Sequence, residues 1–345
     1  MTILIDGSHH EGGGQIIRTA VALSALTGKA VKIEKIRAGR PNPGLAAQHI
    51  AAIEAVAKLC NAEVRGATIG SQTVEFEPKK ISDGEISVNI ATAGSIGLVL
   101  QALLIPAAFA EKPLKIRIEG GATFGKWAPP VLYFEHVVLP NLSKAGFSSK
   151  INILKNGFYP KGGALVEVEA EPAEMKEINL LERGEVEKIC GISIASNHLK
   201  NARVAERQKD AVIRALESLG KSIEIKAEYV DASCAGSGIV LWADCGNSVL
   251  GADAIGELYL PAEKVGENAA KKLLKQIDSG ACLDEWMADQ VVPYLALAGG
   301  FVKVAEITPH TETNIWVVEQ FLGKKFEVDK ANRIKVTDLE KKDIT

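Results

Sequence analysis

Residues 85–119, EISVNIATAGSIGLVLQALLIPAAFAEKPLKIRIE, contain a strand, a helix and a second strand in succession. Glu85–Asn89 and Leu114–Glu119 alternate apolar and polar side chains, a pattern typical of half-buried strands. Between them, Ser95–Phe109 is almost continuously apolar and begins with small residues, which predicts a buried helix. Helix-period and strand-period segments alternate along the rest of the chain as well. The sequence therefore predicts an α/β or α+β fold with large sheets.

This unit recurs along the chain. The central copy continues with a predicted helix and two strands, at Pro130–Lys144, Lys150–Leu154 and Ala164–Ala170. An earlier copy has two predicted helices and three strand-like segments, at Gln15–Leu26, Leu45–Leu59, Ala30–Ile36, Glu63–Arg65 and Thr73–Glu77. A late copy has two predicted helices and two strands, at Asp284–Leu297, Ile315–Leu322, Phe301–Ile307 and Lys325–Val328.

A segment of different character separates the second and third copies. It contains three predicted strands and two charged helices, at Lys188–Ala195, Ile223–Val230, Gly238–Ala243, Asn201–Leu219 and Glu267–Ile277. A segment that interrupts a repeating unit indicates an inserted domain. We therefore predict a large domain formed by residues 1–184 and 281–345, and a smaller inserted α/β domain at residues 185–280.

Composition excludes several classes of protein. The chain has 345 residues, 47% of them hydrophobic, which is enough for a sizeable core. A net charge of −3 argues against a broad nucleic-acid-coating surface, although a single RNA end is not excluded. The five cysteines show no CxxC pair, so neither a disulfide framework nor a zinc site is expected. The apolar stretch Ile96–Ala110 is too short to cross a bilayer and no secretory signal is evident, so we expect a cytoplasmic protein.

A polar run with one histidine lies between the predicted strand Phe301–Ile307 and the helix Ile315–Leu322. It reads Thr308-Pro309-His310-Thr311-Glu312-Thr313-Asn314, with Thr313 or Asn314 as the expected helix cap. A histidine beside the positive end of a helix is discouraged from taking a proton, because the helix dipole disfavours the imidazolium. The neutral ring keeps a lone pair for attack on phosphorus. His310 is therefore a candidate nucleophile.

Glycines precede the first predicted helix and would let an anion approach backbone N–H groups closely. The segment runs from Asp6 to Ala20, with Gly12, Gly13 and Gly14 at its centre. Glu11, Gln15 and Arg18 are spaced four and three residues apart, so a helix extending back to Glu11 would present them on one face. That spacing places a carboxylate for Mg²⁺ beside an arginine for phosphate. The Gly-Lys-Ser/Thr ending of a P-loop is absent.

Three further segments are rich in groups that bind phosphate or a base. Arg37 and Arg40 flank a loop stiffened by two prolines, and Gln48 lies in the first turn of the following helix. The helix entrance Ala91–Gln101 consists of small residues, with Gln101 about one turn inside. Trp286–Gln290 carries a tryptophan able to stack on a base.

Each of these segments also has a purely structural explanation. A lone histidine can be an ordinary surface or hydrogen-bonding residue, and a glycine turn can simply precede a helix. An Arg-Pro-Gly loop can be exposed without a ligand, small residues can serve tight helix packing, and a tryptophan can belong to the core. The lysines at 144, 150, 155 and 161 could guide a polyanion or remain solvated.

Taken in this order, the segments resemble the RNA 3′-terminal phosphate cyclase family over the whole chain. The resemblance rests on seven short motifs: Gly12–Gln15, Arg37–Arg40 with Pro43-Gly44, Ala93–Ser95 with Gln101, Gly120-Gly121 followed by Ala128–Pro130, Gly157–Pro160 with Gly162-Gly163, Ala288–Gln290, and His310 with Thr313-Asn314. Each motif is short, but the ordered series is specific. The presence of His310 indicates the catalytic, histidine-containing branch.

The resemblance implies a fold of three repeated units, each a four-stranded sheet with two helices, interrupted by a smaller inserted domain. It also implies a reaction in three steps. A histidine attacks the α-phosphorus of ATP and releases pyrophosphate, AMP passes to an RNA 3′-phosphate, and the neighbouring 2′-hydroxyl displaces AMP to leave a 2′,3′-cyclic phosphate. The implied partners are ATP, an RNA with a 3′-phosphate end, and Mg²⁺ or Mn²⁺. The oligomeric state is left open.

The resemblance also assigns roles to individual residues. His310 matches the adenylylated histidine and Glu11 the carboxylate that holds the metal ion. Residues that match phosphate ligands are Arg18, Arg37, Arg40 and Gln48, with Arg37 the weakest match. Residues that match the ATP site are Gln101, Pro129 or Pro130, Trp286, Met287, Ala288, Asp289 and Gln290. Some members carry tyrosine where this chain has Trp286, so stacking is retained and a hydroxyl contact is lost. The segment Ala122–Trp127 diverges from the family pattern.

Three other readings remain at this stage. A non-catalytic relative that binds RNA ends in RNA processing is expected to lack the histidine, so His310 argues against it. An enolpyruvyl transferase shares the repeat architecture, and its acidic substrates would suit the arginine loops, but it would not use ATP. A lysine-type nucleotidyl transferase needs Lys-x-Asp-Gly, whereas Lys80–Gly84 has one residue too many.

Overall fold

The structure, a computed structural model, describes residues 2–82 and 84–337. These residues form four mixed sheets of four strands each, with helices packed against them. The predicted α/β class with repeated units is confirmed, whereas the expectation of large sheets was wrong, because each sheet has only four strands.

The first unit begins with a short strand at the N-terminal end of the described chain. Its order in space is β1-β2-β4-β3, with β1 parallel to β2 and the other neighbours antiparallel. Its elements are β1 (Ile3–Asp6), α1 (Gly14–Thr27), β2 (Val31–Glu34), α2 (Ala47–Cys60), β3 (Glu63–Arg65) and β4 (Val74–Glu77). The two helices cover one face of this sheet, so that their apolar sides contribute to the main core.

The second unit repeats this arrangement with longer strands. Its order is β5-β6-β8-β7, again with the first pair parallel and the others antiparallel. Its elements are β5 (Gly84–Ser95), α3 (Ile96–Ala108), β6 (Leu114–Ala122), α4 (Val131–Tyr133), a π-helical turn (Phe134–Val138), α5 (Leu139–Ser143), β7 (Ser148–Lys155) and β8 (Leu165–Glu171). The residues of α3 are all buried, which agrees with its continuous apolar sequence.

The chain then forms β9 (Ile178–Leu180) and enters the inserted segment. This segment has its own sheet, in the order β11-β10-β12-β13, covered by two helices. Its elements are β10 (Lys188–Ser196), a 3₁₀ turn (Asn197–Leu199), α6 (Val204–Leu216), a second 3₁₀ turn (Glu217–Leu219), β11 (Ser222–Val230), β12 (Ser237–Asp244), β13 (Val249–Ile255) and α7 (Ala262–Asp278). A second hydrophobic core, between Val186 and Ile277, lies within it.

The third unit is divided by the insertion. Its order is β15-β16-β14-β9, so β9, which precedes the insertion, pairs in parallel with β14, which follows it. Its remaining elements are α8 (Glu285–Ala298), β14 (Gly300–Lys303), α9 (Pro309–Leu322), β15 (Lys325–Val328) and β16 (Arg333–Thr337). All three units therefore share one strand order and one pattern of parallel and antiparallel pairs.

Two buried polar side chains join the inserted segment to the repeated units. Asp284 is fully buried, accepts from the backbone of Trp286 and Met287 at the start of α8, and also accepts from Tyr133 Oη at 2.6 Å and Gly251 N at 2.8 Å. Asn141 donates to Val249 O at 2.8 Å, and its own oxygen accepts from Val249 N at 3.0 Å. Buried polar groups with complete hydrogen bonding specify one arrangement of the elements they join.

Several sequence-based boundaries were wrong. Strands β1, β9, β13 and β16 were not predicted. Helix α9 begins at Pro309 and not near Ile315, with Thr308 as its cap in place of Thr313 or Asn314. Helices α6 and α7 begin at Val204 and Ala262. Asp83, part of the lysine-type alternative, lies outside the described residues, as do residues 338–345 of the predicted large domain. The domain boundaries at 184/185 and 280/281 stay predictions.

Candidate active site

Helix α9 presents His310 in its first turn. Thr308 caps the helix because its Oγ1 accepts from Thr311 N at 3.2 Å, and Pro309 suits the first helical position, where no N–H is needed. The following polar residues Thr311, Thr313 and Asn314 are buried and hydrogen-bonded, so they belong to the helix and not to a loop. The His310 side chain is left half-exposed at the positive end of the helix.

His310 contacts the glycine-rich segment of the first unit. Its Nε2 lies 2.9 Å from Glu11 Oε2, and its backbone oxygen accepts from Gln15 Nε2 at 3.3 Å. The other oxygen of Glu11 accepts a hydrogen bond from Arg40 Nη2. Burial lowers the pKa of His310 below its ordinary 6.5, as do the nearby Arg18 and Arg40, whereas Glu11 raises it. The lowered pKa favours the neutral imidazole near pH 7.

The glycines at the entrance of α1 are required by their surroundings. Gly12 has a φ of +59°, and a Cβ on Gly14 would lie 2.3 Å from His49 Nε2. The first turn of α1 has no acidic residue, and Gly13 supplies no side-chain cap. The backbone N–H groups at this helix start are thus free of side-chain partners on their own helix, an arrangement that suits an anion.

A buried polar network lies behind the histidine. Arg18 is 8% exposed, and its Nε donates to Gln101 Oε1 at 2.8 Å. Burial lowers the pKa of Arg18 to about 10, and the nearby Asp289 opposes that change. Burial raises the pKa of Asp289 to about 7, against the attraction of Arg18. Arg18 remains a cation at neutral pH, held in place before any ligand arrives.

The same network ties together the three helices that carry these residues. Thr19 of α1 donates to Asn314 Oδ1 of α9 at 2.8 Å, and Asn314 Nδ2 donates to Asp289 O of α8 at 3.0 Å. Because both side chains are fully buried, a shift of one helix would leave unsatisfied polar groups on another. The relative positions of His310 and Arg18 are fixed in this way.

His310 opens into a cleft of about 1190 Å³ between the repeated units and the inserted segment. One side, called here the repeat wall, is formed by Arg18, Gln101, Pro129, Trp286, Asp289, Gln290 and His310. The opposite side, called here the insert wall, is formed by the α7 residues Asn268, Lys271, Lys272 and Lys275. Lys272 donates to Asp253 O at 2.9 Å, and its ammonium lies 5.3 Å from the centre of the Trp286 ring. The cleft therefore has Arg18 on one side and lysines on the other, and its lining also includes Asp253, Glu257, Asp278 and Asp289.

The structure brings most of the predicted site residues together. The seven residues of the repeat wall face the cleft. Glu11 and Arg40 are connected to them through the contact of Glu11 with His310.

Met287 and Ala288 are fully buried in the core and do not line the cleft. Pro130 is buried at the start of α4, and Arg37 donates to Gly44 O of its own loop at 2.9 Å. Gln48 is half-buried in the first turn of α2. The ligand roles of all these residues stay predictions.

Two features of the site were not predicted. His49 is buried, its Nδ1 accepts from Ala46 N at 3.0 Å, and burial together with Arg18 and Arg37 lowers its pKa to about 3. It is therefore a neutral group packed against Gly14. The insert wall was the other omission, although Lys271, Lys272 and Lys275 lie within the helix that the sequence marks as lysine-rich. Their spacing places Lys271 and Lys275 on one helical face.

Among the described residues, no three His, Cys, Asp or Glu side chains come close enough together to hold a metal ion by themselves. Glu11 contributes a single carboxylate beside His310. Mg²⁺ is commonly held by one or two carboxylates together with substrate phosphates, so this donor set fits an ion that binds with a nucleotide.

Within the described parts of the chain, no helix combines the length and apolarity needed to cross a bilayer. The cytoplasmic location stays a prediction.

The fold and the site define a class of protein. It has a repeated α/β scaffold with an inserted unit, and the cleft of about 1190 Å³ between them carries a neutral histidine. Comparison with known sequences identifies the family. Residues 9–328 match the family model described as RNA 3′-terminal phosphate cyclase. The chain belongs to this family, as the sequence motifs predicted.

Similar curated proteins carry the same name. A protein named RNA 3′-terminal phosphate cyclase from Pyrococcus furiosus is 51% identical over 94% of this chain and 95% of its own length. Proteins of that name from Pyrococcus abyssi and Methanosarcina barkeri are 47% and 43% identical, over 97% and 94% of this chain and 98% and 96% of their own lengths. The similarity therefore extends through the repeated units and the inserted segment alike.

Proposed function

We propose that this protein converts an RNA 3′-terminal phosphate to a 2′,3′-cyclic phosphate at the expense of ATP, through a covalent His310–AMP intermediate. One observation carries the proposal: a neutral histidine at a helix N-terminus faces a cleft whose repeat wall holds a preorganised arginine. Family membership and the names of the relatives support the overall reaction. The intermediate is supported by the geometry of His310.

The first step uses the lone pair of the neutral imidazole. A ring nitrogen of His310 forms a bond to the α-phosphorus of ATP while the bond between that phosphorus and the bridging oxygen of pyrophosphate breaks. Glu11, 2.9 Å from Nε2, orients the ring and stabilises the positive charge that develops on it. Arg18, Arg40 and the N–H groups at the start of α1 are positioned to stabilise the charge on the phosphates.

In the second step an oxygen of the RNA 3′-phosphate attacks the phosphorus of the histidine-bound AMP. The phosphorus–nitrogen bond breaks and His310 is regenerated. In the third step the RNA 2′-hydroxyl attacks the 3′-phosphorus, loses its proton, and displaces AMP. Adenylylation converts a poor leaving group into a good one, and the last step is intramolecular, so positioning is its main requirement.

The base and metal sites follow from the same cleft. Trp286 and Pro129 both line it and offer apolar surfaces for the adenine ring. Glu11 would hold Mg²⁺ or Mn²⁺, which when bound would neutralise part of the charge on the triphosphate. Because Glu11 also contacts Arg40 and His310, its carboxylate is already at the junction of the histidine and the phosphate-binding groups.

The experiment is incubation of the purified protein with Mg²⁺ and ATP labelled at the α-phosphate, followed by denaturing electrophoresis. We expect an acid-labile label on the wild type and none on His310→Ala. The matched control is His198→Ala, which alters an exposed histidine of the inserted segment and should retain the label. A folded wild type that binds RNA but takes no label would contradict the proposal and favour the non-catalytic RNA-binding alternative.

A further inference from the structure

A second cavity adjoins the cleft. This side cavity of about 550 Å³ lies between the second unit and the inserted segment. Its floor contains the parallel rings of Phe124 and Phe158, 6.0 Å apart. The two cavities share lining residues, including Lys126 and Glu257. Whatever enters the side cavity is therefore next to the cleft that holds His310.

The polar side chains of the side cavity satisfy one another. Arg207 donates two hydrogen bonds to Glu263, at 2.7 and 2.8 Å. Gln208 accepts from Ser193 and donates to Ser237, at 2.8 and 3.0 Å. The surface that the cavity presents to a ligand is thus mainly apolar. Such a surface suits a flat ring that binds by stacking and by shape complementarity.

Two tyrosines, one in the lining of the side cavity and one next to lining residues in the sequence, are unusually exposed. Tyr159 lines the cavity and is 65% exposed. Tyr259 stands between two lining residues, Leu258 and Leu260, and is 95% exposed with a φ of +65°. A non-glycine residue in this left-handed region carries backbone strain, which is retained where the surroundings impose it and often marks a binding site. Both rings are available for contact with a ligand.

Charge around the side cavity suits a phosphodiester strand entering from solvent. Lys161 follows Pro160 of the rim, is exposed, and has no ion pair or hydrogen bond within residues 2–82 and 84–337. Lys126 and Glu257 form an ion pair of 2.9 Å at the junction with the cleft, with both side chains about half-exposed. An exposed pair of this kind contributes little to stability, so a ligand can displace it.

The cleft is also larger than one nucleotide requires. Its volume of about 1190 Å³ exceeds the roughly 300–1,000 Å³ of an ordinary small-molecule site, which leaves room for a second reactant beside ATP. An RNA whose terminal phosphate reaches His310 must place its preceding nucleotides nearby. The side cavity adjoins the cleft, and the exposed ring of Tyr159 in its lining offers an aromatic surface.

From these observations we propose that the side cavity binds a base of the RNA strand on the 5′ side of the terminal phosphate, with Tyr159 and Tyr259 as stacking surfaces. This inference rests on the proposed function and adds the path of the RNA. Stacking accepts any base, and the polar side chains of the cavity are already paired, so the site should show little base preference.

The test uses a 3′-phosphorylated RNA with 2-aminopurine near its end, a base whose fluorescence falls on stacking. Binding to the wild type should quench the fluorescence. The double variant Tyr159→Ala/Tyr259→Ala should lose the quenching and weaken RNA binding by about 5- to 150-fold, the loss expected for one base stack. The double variant Tyr159→Phe/Tyr259→Phe keeps both rings and should behave as the wild type.

Two controls separate this proposal from the proposed function. Ile69→Ala alters an exposed apolar residue of the first unit and should leave RNA binding unchanged. Labelling of each variant by α-labelled ATP, without RNA, reports the histidine step alone and should persist in all of them. The side-cavity proposal is overturned if the proteins take the label but the double alanine variant binds RNA as tightly as the wild type. The proposed function is overturned if the wild type takes no label.

Discussion

The two walls of the cleft differ in the burial and hydrogen bonding of their polar side chains. On the repeat wall, Arg18 and Gln101 are nearly buried and hydrogen-bonded to each other, and Asn314 behind them joins α1 to α8. On the insert wall, Lys271 and Lys272 are exposed on a solvent-facing helix. One wall is held by buried hydrogen bonds before any ligand binds, whereas the other carries exposed lysines, of which Lys272 and Lys275 have partners at the surface.

This difference has an energetic consequence. A buried, preoriented cation interacts strongly with charge that develops in a reaction, because little water screens it and no reorganisation is needed. An exposed lysine is hydrated and must lose side-chain freedom to fix its ammonium. We therefore expect the repeat wall to govern chemistry and the insert wall to govern attraction and capture of polyanions.

The largest effect is expected for Arg18→Ala. Loss of a preoriented phosphate ligand should reduce the rate of His310 labelling by about 10²- to 10³-fold. It should also lower thermal stability, because Asp289 loses its nearby cation and Gln101 its partner. Single-turnover labelling and thermal unfolding would measure the two effects. The control Arg65→Ala removes an exposed arginine and should change neither; a rate loss below tenfold for Arg18→Ala would contradict the assigned role of the repeat wall.

Glu11→Gln should have the next largest effect. The amide keeps the size of the side chain but removes the charge that would hold Mg²⁺, so half-maximal labelling should require at least about tenfold more Mg²⁺. A magnesium titration of the labelling rate measures this. Glu312→Gln, an exposed glutamate in the first turn of α9, is the matched control and should leave the titration unchanged. An unaltered Mg²⁺ requirement in Glu11→Gln would remove Glu11 from the metal site.

The pH profile should reflect the lowered pKa of His310. In the proposed reaction the neutral ring is the nucleophile, so labelling should be lost when pH falls through the pKa of His310 in the folded protein, which burial lowers from its ordinary 6.5. Glu11→Gln should move this acid limb to still lower pH, because Glu11 is the group that raises the pKa. Rates measured from pH 4.5 to 8 at saturating ATP would test this. An acid limb above 6.5 would show that another group controls the step.

The smallest effect is expected for Lys271→Ala on the insert wall. Exposed charges of this kind are worth about 0–1 kcal/mol, so ATP affinity should fall by no more than about fivefold. The loss should vanish at high salt, since screening removes the contribution of exposed lysines. Equilibrium binding at two ionic strengths measures it, with Lys335→Ala on β16 as the control. A loss of a hundredfold would show that the two walls are equivalent.

Much of the fold could be predicted because the long elements have clear periodicity. Helix α3 and strand β6 were located within a few residues from their own sequences. The short strands were missed for a physical reason. Strand β9 has only three residues, and its partner β14 lies beyond the whole insertion, so no local pattern identifies it.

Candidate site residues could be proposed from the sequence where the pattern was local. His310, Glu11 and Arg18 were proposed because each lies in a short segment with a recognisable pattern; the structure places His310 against Glu11, and the roles of all three stay predictions. The sequence did not show which face of helix α8 carries Met287 and Ala288. These two side chains are buried in the core, whereas those of their neighbours Trp286 and Asp289 line the cleft. The early start of α9 was hidden for a related reason. Its first turns are polar, and their burial depends on partners from α1 and α8.

The divided third unit sets an order of events during protein synthesis. The ribosome releases β9 first, then the whole inserted segment, and only afterwards β14 and α9. The first two sheets can form while later residues are still being made. Ile178 of β9, in contrast, cannot pair until Gly300 of β14 has been synthesised. The helix that bears His310 is thus among the last parts of the chain to be made. A nascent chain can therefore contain two finished sheets and the inserted segment before it contains His310, the nucleophile of the proposed reaction.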